Sequence, residues 1–382
     1  MTKKRTVAVY LGSLIVGLFC AEAALRIAGA RFASSFYVID PDLGWTLRAG
    51  AEGDVTEEAV VHVKINGSGM RDDRDYLVEK PTGVYRVAVL GDSFAESMQV
   101  PLEQTFSKLL ENELAACKKT KVEVLNFGVQ GYGTAQELLT WRLKASKYKP
   151  DAVILLFYSG NDLYNNVRIL NPTNADAAPY FVLENHQLRL LPAMAAESGA
   201  REAWAAVVRV SKLAQMLTDA FYKFNRRQVR EQEDANRKQF GENYMDRLIY
   251  ADPQHEAMRD AWSVTEAALP LVRDEVVKTG ARFHLAVASS GVQVHPDAQI
   301  RREFLDYVKG LDLFYTEHRL AAVAAKAGID VSVIGEEMLK YSEQNKIYHG
   351  FPGSRGKGHW NEQGHRFVSS HLSRRICAAV GQ

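Results

Sequence analysis

The sequence predicts an α/β fold in which about five parallel strands are covered by helices on both faces. Short apolar runs alternate along the chain with stretches whose apolar residues recur at helical spacing. This alternation is typical of a parallel sheet, because each crossover helix returns the chain to the same sheet edge. The apolar runs are Tyr85 to Leu90, Val122 to Leu125, Ala152 to Phe157, Phe283 to Ala288 and Asp330 to Ile334.

Helices are predicted between these runs. The first two lie at 103–116 and 135–146, where leucines share one helical face, and a closing helix runs from about Asn361 to Ala379. The interval 163–280 departs from the alternation, because two long helical patterns, at about 201–233 and 254–279, have no strand between them. We therefore predict a helical insertion. Its highly charged part at 226–237 is interpreted as a solvated helix face rather than a binding surface.

Composition excludes several function classes. The chain has 382 residues, of which 47% are hydrophobic, so a sizeable core is available. A net charge of +1 gives no overall field for nucleic acid, so no nucleic-acid partner is expected. Cys20, Cys117 and Cys377 lack paired spacing, which indicates neither a zinc site nor a disulfide framework and leaves a single Cys117–Cys377 bond open. Neither a metal nor a cofactor is expected, and the oligomeric state is left open.

The N-terminus predicts a membrane segment. Basic residues 3–5 precede Thr6 to Ala24, a run without charge until Glu22 and close to the ~20 residues that a spanning helix needs. The positive-inside rule leaves the rest of the chain outside, on the periplasmic side, although Arg26 and Arg31 weaken the contrast. An uncleaved signal anchor is favoured over a cleaved signal peptide or a buried soluble helix.

The expected organisation has three parts. Residues 1–32 form the anchor or signal segment, and 33–84 form an N-terminal extension of turns with one or two short strands. Residues 85–382 form the α/β domain, which includes the insertion.

Three chemically suited groups follow successive predicted strands. Ser93 follows the first strand, Gly131 lies beyond the second and Asn161 lies beyond the third. Parallel strands would bring them to one edge, where the hydroxyl is a nucleophile and a backbone N–H and an amide are donors to an oxyanion. His359, just before the closing helix, is the candidate base.

Each of these residues also has a structural interpretation. Gly131 fits a turn, Asn161 fits a helix cap, and Asp92 fits a loop-fixing hydrogen-bond acceptor. His365 is a second candidate base, but it lies within the closing helix, where packing or capping is the simpler role. His359 is therefore preferred.

The blocks around Ser93, Gly131, Asn161 and His359 together resemble the SGNH, or GDSL, hydrolase superfamily over about residues 85–380. The resemblance implies a flavodoxin-like three-layer α/β/α sandwich. It also implies that Ser93 is the nucleophile, that Gly131 and Asn161 form the oxyanion hole with the Ser93 amide, and that His359 is the base. A bacterial membrane-anchored subgroup with a Gly-Asp-Ser-Phe block is similar in its Gly44-Trp45 element and in its element at 66–71.

One position departs from that pattern. The family's orienting acid usually lies two or three residues before the histidine, where this chain has Lys357 and Gly356. Three explanations stand: Ser93 and His359 form a dyad with a backbone carbonyl holding the ring, a distant carboxylate reaches the ring, or activity is weak. Candidates for the distant carboxylate are Asp162, Asp297 and Glu362.

The resemblance implies a membrane-anchored, extracytoplasmic serine esterase or acyl hydrolase that works through an acyl-Ser93 intermediate. Its substrate would be an acylated carbohydrate or a lipid ester, for example an O-acetyl group on an envelope glycan, and an acyltransferase is included in this expectation. Two alternatives remain: a catalytically weak or inactive glycan-binding or assembly protein of the same fold, and a structural anchor whose insertion docks a partner.

Overall fold

The computed structural model describes the chain except for residues 1–2, 31, 33–35, 173, 186, 194–198, 222–223, 225–245, 311, 345 and 379–382. The charged segment predicted to form a solvated helix face, 226–237, lies outside the described residues.

The N-terminal part consists of one long helix and two small hairpins. Helix α1 spans Lys3–Ile27, and its stretch Val9–Ile27 is long and apolar enough to cross a membrane, with its side chains largely exposed. Each hairpin is an antiparallel pair, so the extension has four short strands where the sequence predicted one or two. The strands are β1 (Tyr37–Asp40), β2 (Gly44–Leu47), β3 (Glu52–Val55) and β4 (Val61–Lys64).

The predicted α/β class is confirmed. Five parallel strands form one sheet in the order β6-β5-β7-β10-β11. A separate antiparallel hairpin, β8 with β9, precedes β10 in the chain. The remaining strands are β5 (Val84–Gly91), β6 (Lys121–Asn126), β7 (Ala152–Tyr158), β8 (Tyr180–Glu184), β9 (Gln187–Leu191), β10 (Arg282–Ala288) and β11 (Asp330–Val333).

The strand order creates a crevice at the carboxyl edge of the sheet. The chain moves from β5 outward to β6, returns to β7 on the other side of β5, and then continues away from it. This is the flavodoxin-like order, and open α/β sheets bind ligands where it reverses direction. The crevice therefore lies above the ends of β5 and β7.

Helices cover both faces because successive strand residues point to opposite sides. In β5, Ala88 and Leu90 pack on one face, whereas Val87 and Val89 pack on the other. Helices α4, α7 and α9 contribute to the first face, and α3, α10 and α11 to the second. The helices after α1 are α2 (Ser93–Glu96), α3 (Phe106–Lys118), α4 (Thr134–Leu143), α5 (Asp162–Asn165), α6 (Gly199–Val210), α7 (Glu256–Val277), α8 (Ala298–Val308), α9 (Tyr315–Ala327), α10 (Ile334–Ser342) and α11 (Glu362–Ala378), with a further helix at 212–221.

The interval predicted as a helical insertion has two parts. Its first part contains the hairpin β8–β9, which the sequence analysis did not predict, and a helical pattern broken near Ser211 between α6 and 212–221. Its second part, α7, buries Trp262 and Leu269 in the core against the sheet. Helix α7 thus belongs to the crossover connection between the parallel strands β7 and β10 of the α/β domain.

A disulfide joins two helices on the second face. Cys117 in α3 is bonded to Cys377 in α11, with their Cα atoms 6.2 Å apart. The sequence left this pair open, because a separation of 260 residues carries no spacing signal.

Candidate active site

Ser93 lies in a tight turn directly after β5. Asp92 is the N-cap of α2, and its Oδ1 accepts a hydrogen bond from the backbone N–H of Phe94 at 2.8 Å. Asp92 is fully buried, so this bond fixes the turn from inside. The Ser93 side chain is thereby held at the carboxyl edge of the sheet.

His359 lies within hydrogen-bond distance of Ser93. Its Nε2 is 2.8 Å from Ser93 Oγ, so the hydroxyl donates to the imidazole. The imidazole also packs on the Phe94 ring, with the ring centroids 4.8 Å apart. These contacts bring together the two residues that the sequence proposed as nucleophile and base.

Glu58 lies on the other side of the His359 ring from Ser93, so that Ser93, His359 and Glu58 form a row of hydrogen-bonded side chains. The Nδ1 of His359 is 2.6 Å from Glu58 Oε1, and the backbone N–H of His359 donates to Glu58 Oε2 at 3.0 Å. Glu58 lies in the loop between β3 and β4, 301 residues before His359 in the chain. A carboxylate accepting from Nδ1 leaves the Nε2 lone pair directed at Ser93.

The residue before His359 has to be glycine for Glu58 to approach. Gly358 has φ +75°, and a Cβ at this position would lie 2.6 Å from Glu58 Oε2. Its carbonyl also accepts a hydrogen bond from Nδ1 of the buried His349, at 2.8 Å. The loop is thus held from one side and open to Glu58 on the other.

The pKa shifts of the pair are opposite in direction. Burial lowers the pKa of His359, but the charge and hydrogen bond of Glu58, together with the charges of Asp92 and Glu96, more than offset burial, and the net pKa is raised. Burial raises the pKa of Glu58, but His359 more than offsets it, and the net pKa is lowered. The pair therefore favours an ionised carboxylate beside an imidazole that gains a proton readily.

Gly131 and Asn161 lie on either side of Ser93, because β5 is between β6 and β7 in the sheet. Gly131 adopts φ +75°, a left-handed conformation that other residues rarely adopt. The Asn161 side chain hydrogen-bonds to Asp92, while its Oδ1 is buried and has no partner among the described residues.

The loop before Gly131 is held by two residues. The backbone N–H of Gln130 donates to Glu96 Oε1 at 3.2 Å, and its carbonyl accepts from Trp45 Nε1 at 2.9 Å. Glu96 also accepts from the Tyr37 hydroxyl at 3.0 Å, and burial raises its pKa to about 8. Tyr37 and Trp45 both belong to the N-terminal extension.

The acids that the sequence proposed for orienting His359 lie elsewhere. Asp162 accepts from the Tyr158 N–H at 2.8 Å, Asp297 caps α8, and Glu362 is the first residue of α11. Within the described part of the chain, none of the three has a hydrogen bond to His359, and no group of three or more His, Cys, Asp or Glu residues is arranged to hold a metal ion.

His365 has a different environment from His359. Its ring is buried and stacked on Phe106, and its Nδ1 accepts the Phe106 backbone N–H at 3.2 Å. Burial lowers the pKa of His365 well below the usual range, so the ring is neutral. These contacts are those of a packed core histidine.

Glu58, Tyr37 and Trp45 are members of the site that the sequence does not predict. Trp45 belongs to the Gly44-Trp45 element of the resemblance, which implies no role for it, and Glu58 follows another acid in a polar loop. No local pattern marks any of the three, because only the packing of the extension brings them close to their partners.

No protein-family model matches the chain, and no curated protein matches it. Solved structures similar to it include a catalytic mutant of an acetylxylan esterase from Geobacillus stearothermophilus. The two sequences are 10% identical, the match covers 76% of this chain and 94% of that chain, and the TM-score is 0.41. Another is an acetyl xylan esterase, at 14% identity, 76% and 99% coverage and a TM-score of 0.39. A third is an α/β hydrolase from the metagenome of Lake Arreo, at 13% identity, 77% and 95% coverage and a TM-score of 0.36.

Proposed function

We propose that this chain is a serine ester hydrolase of the SGNH type that uses Ser93, His359 and Glu58 as a catalytic triad. The observation that carries the proposal is the position of His359, with Nε2 2.8 Å from Ser93 Oγ and Nδ1 2.6 Å from Glu58 Oε1. The same spatial arrangement of nucleophile, base and orienting acid recurs in hydrolases of unrelated folds.

The proposed reaction proceeds through an acyl-enzyme. His359 Nε2 takes the proton of Ser93 as Oγ attacks the ester carbonyl, and Glu58 stabilises the imidazolium. The N–H groups of Ser93 and Gly131 and the amide of Asn161 stabilise the oxyanion. The imidazolium then protonates the departing alkoxide. A water molecule activated by His359 hydrolyses the acyl-serine; a sugar hydroxyl in its place gives acyl transfer.

We also propose that the domain is extracytoplasmic and membrane-anchored. Helix α1 supports the anchor through its length and apolarity. The Cys117–Cys377 bond supports an oxidising compartment, because structural disulfides are rare in the cytosol. The substrate proposed from the SGNH resemblance is an acyl ester on an envelope carbohydrate or a lipid.

The non-catalytic alternative rests on the lack of an acid at 356 or 357. The Glu58 carboxylate lies at hydrogen-bond distance from the His359 ring, and this contact supports the proposal of an active enzyme over that of an inactive binding protein.

Covalent labelling tests the proposal. The full-length protein in detergent is incubated with a fluorophosphonate probe and, separately, with p-nitrophenyl acetate. Wild type should label and turn over, Ser93→Ala should do neither, and Ser97→Ala should keep both. Ser97 is the control because its buried hydroxyl bonds only backbone carbonyls of the same turn. No labelling of folded wild type, or equal labelling of Ser93→Ala, would overturn the proposal.

A further inference from the structure

The helical segment after the β8–β9 hairpin exposes an unusual amount of apolar surface. In α6, Trp204, Val207 and Val210 are 47%, 45% and 68% exposed. Soluble surfaces rarely carry contiguous apolar patches of this kind without a partner. The second half of the segment continues the pattern with Leu217, Phe221 and Phe224, which are 52%, 66% and 60% exposed.

The exposed residues of the second half form one stripe. Leu217 and Phe221 are spaced i, i+4, which places them on one face of the helix at 212–221. The opposite side of the helix at 212–221 is buried in the protein through Gln215 and Asp219. The apolar stripe therefore faces away from the rest of the described chain, whose core does not cover it.

This segment is fixed to the end of the membrane-length helix. The Glu22 carboxylate accepts hydrogen bonds from the backbone N–H groups of Lys212 and Leu213 at 3.0 and 2.9 Å, and so caps the helix at 212–221. Arg26 donates to the Val210 carbonyl. Both Glu22 and Arg26 belong to the apolar stretch Val9–Ile27. A bilayer crossed by this stretch has its surface beside residues 204–221.

We propose that residues 204–221 form a second membrane contact, lying in the bilayer interface with the apolar face toward the acyl chains. The inference rests on the proposed membrane anchoring of α1. The occupant is the lipid bilayer, because the stripe continues from the end of the helix that crosses it. Tryptophan and phenylalanine suit the interfacial depth, and the basic residues Arg209 and Lys212 lie between them in the sequence, as in helices that bind anionic lipid surfaces.

The contact places the active edge close to the membrane. Helix α6 contacts β1, whose Tyr37 hydroxyl bonds Glu96 at the end of the turn that begins with Ser93. A docked segment is thus separated from the nucleophile by one hairpin. The domain is held in one orientation instead of swinging freely on its anchor.

Spin labelling of the full-length protein tests the proposal. Cys20→Ser removes the free thiol and leaves the Cys117–Cys377 bond intact. Nitroxides are then attached at Leu217→Cys or Phe221→Cys in nanodiscs of phosphatidylcholine and phosphatidylglycerol, and collision rates with oxygen and with a water-soluble nickel chelate are measured. Leu77→Cys is the control, since Leu77 is 70% exposed and lies in the chain before β5, near the amino end of that strand. Val16→Cys reports on the anchor itself.

The expected result is several-fold lower nickel accessibility and higher oxygen accessibility at 217 and 221 than at 77. Nickel accessibility at 217 and 221 equal to that at 77, with Val16 in lipid, would overturn the proposal and leave the anchor intact. Water accessibility at Val16 as well would show that the anchoring itself fails. Labels at 217 and 221 shielded from both reagents would indicate a protein neighbour, such as a second copy, and would also overturn the proposal.

Discussion

The carboxyl edge of the sheet and the N-terminal extension contribute to the same site in different ways. The edge presents Ser93, Gly131 and Asn161 from three adjacent strands, so their positions follow from the sheet itself. The extension contributes Glu58 and Trp45, whose positions depend on how two small hairpins pack against the domain. The proposed nucleophile and the group proposed to orient its base therefore have separate structural origins.

Packing, and not chain connectivity, holds the extension in place. A separate apolar cluster joins Leu43, Leu47 and Val63 of the hairpins to Tyr132 and Leu139 of the domain. Fully burying such side chains stabilises by about 1.5–3 kcal/mol each, which is enough to fix the hairpins. Loss of this packing would leave the edge intact and remove the acid.

The largest effect is expected from the base that both regions share. His359→Ala should lower kcat by roughly 10⁴–10⁶-fold, because the Ser93 proton loses its acceptor. His365→Ala should keep kcat within a few-fold and lower the melting temperature, because that ring packs on Phe106. Turnover of a p-nitrophenyl ester and circular dichroism melts measure the two effects. Loss of activity in folded His365→Ala would reverse the assignment.

The contribution of the extension is measured by Glu58→Gln. An amide at this position cannot stabilise the imidazolium, and kcat should fall by roughly 10²–10⁴-fold with KM little changed. Glu57→Gln is the matched control, since it removes the exposed neighbouring carboxylate and should leave kcat nearly unchanged. An unaltered kcat in Glu58→Gln would mean that the edge works as a dyad without the extension.

The pH profile separates an electrostatic role of Glu58 from a structural one. Only neutral His359 accepts the Ser93 proton, so kcat/KM falls as the pH drops through the His359 pKa. Because Glu58 raises that pKa, the acid limb of wild type should lie above the ordinary value of about 6.5. In Glu58→Gln burial still lowers the pKa, so the limb should move to lower pH. A limb at the same pH in both proteins contradicts the charge argument.

A smaller effect is expected where the extension supports the oxyanion loop. Trp45→Phe removes the indole N–H that holds the Gln130 carbonyl while it keeps an aromatic ring. A neutral hydrogen bond contributes about 0.5–1.5 kcal/mol, so kcat should fall by roughly 2–10-fold. Tyr37→Phe removes the hydroxyl bonded to Glu96 and should lower kcat by a similar factor. Steady-state kinetics with both variants measure this, and a changed KM alone would indicate a role in substrate binding.

The same division explains what the sequence predicts and what it does not. The strands at 84–91, 121–126 and 152–158 each contain a short apolar run that the sequence pattern identifies, so Ser93, Gly131 and Asn161 are predicted to follow strand ends. Glu58 carries no such signal. It lies in a loop between two four-residue strands, and this loop packs against His359 although the two residues are 301 positions apart in the sequence. The β8–β9 hairpin is missed for a related reason, since short strands outside the main alternation have little periodicity.

The smallest effect on activity, and a clear one on stability, is expected from the disulfide. Cys117 and Cys377 join α3 and α11 away from the Ser93–His359–Glu58 row, so the double variant Cys117→Ala/Cys377→Ala should keep kcat at 25 °C. It should lose about 2–4 kcal/mol of unfolding free energy, because the bond restricts the unfolded chain. Cys20→Ser is the matched control and should change neither. Helix α11 begins just after His359. A lower kcat in the folded double variant would therefore mean that the disulfide also positions the base, so that the site at the carboxyl edge of the sheet depends on this bond as well as on the sheet.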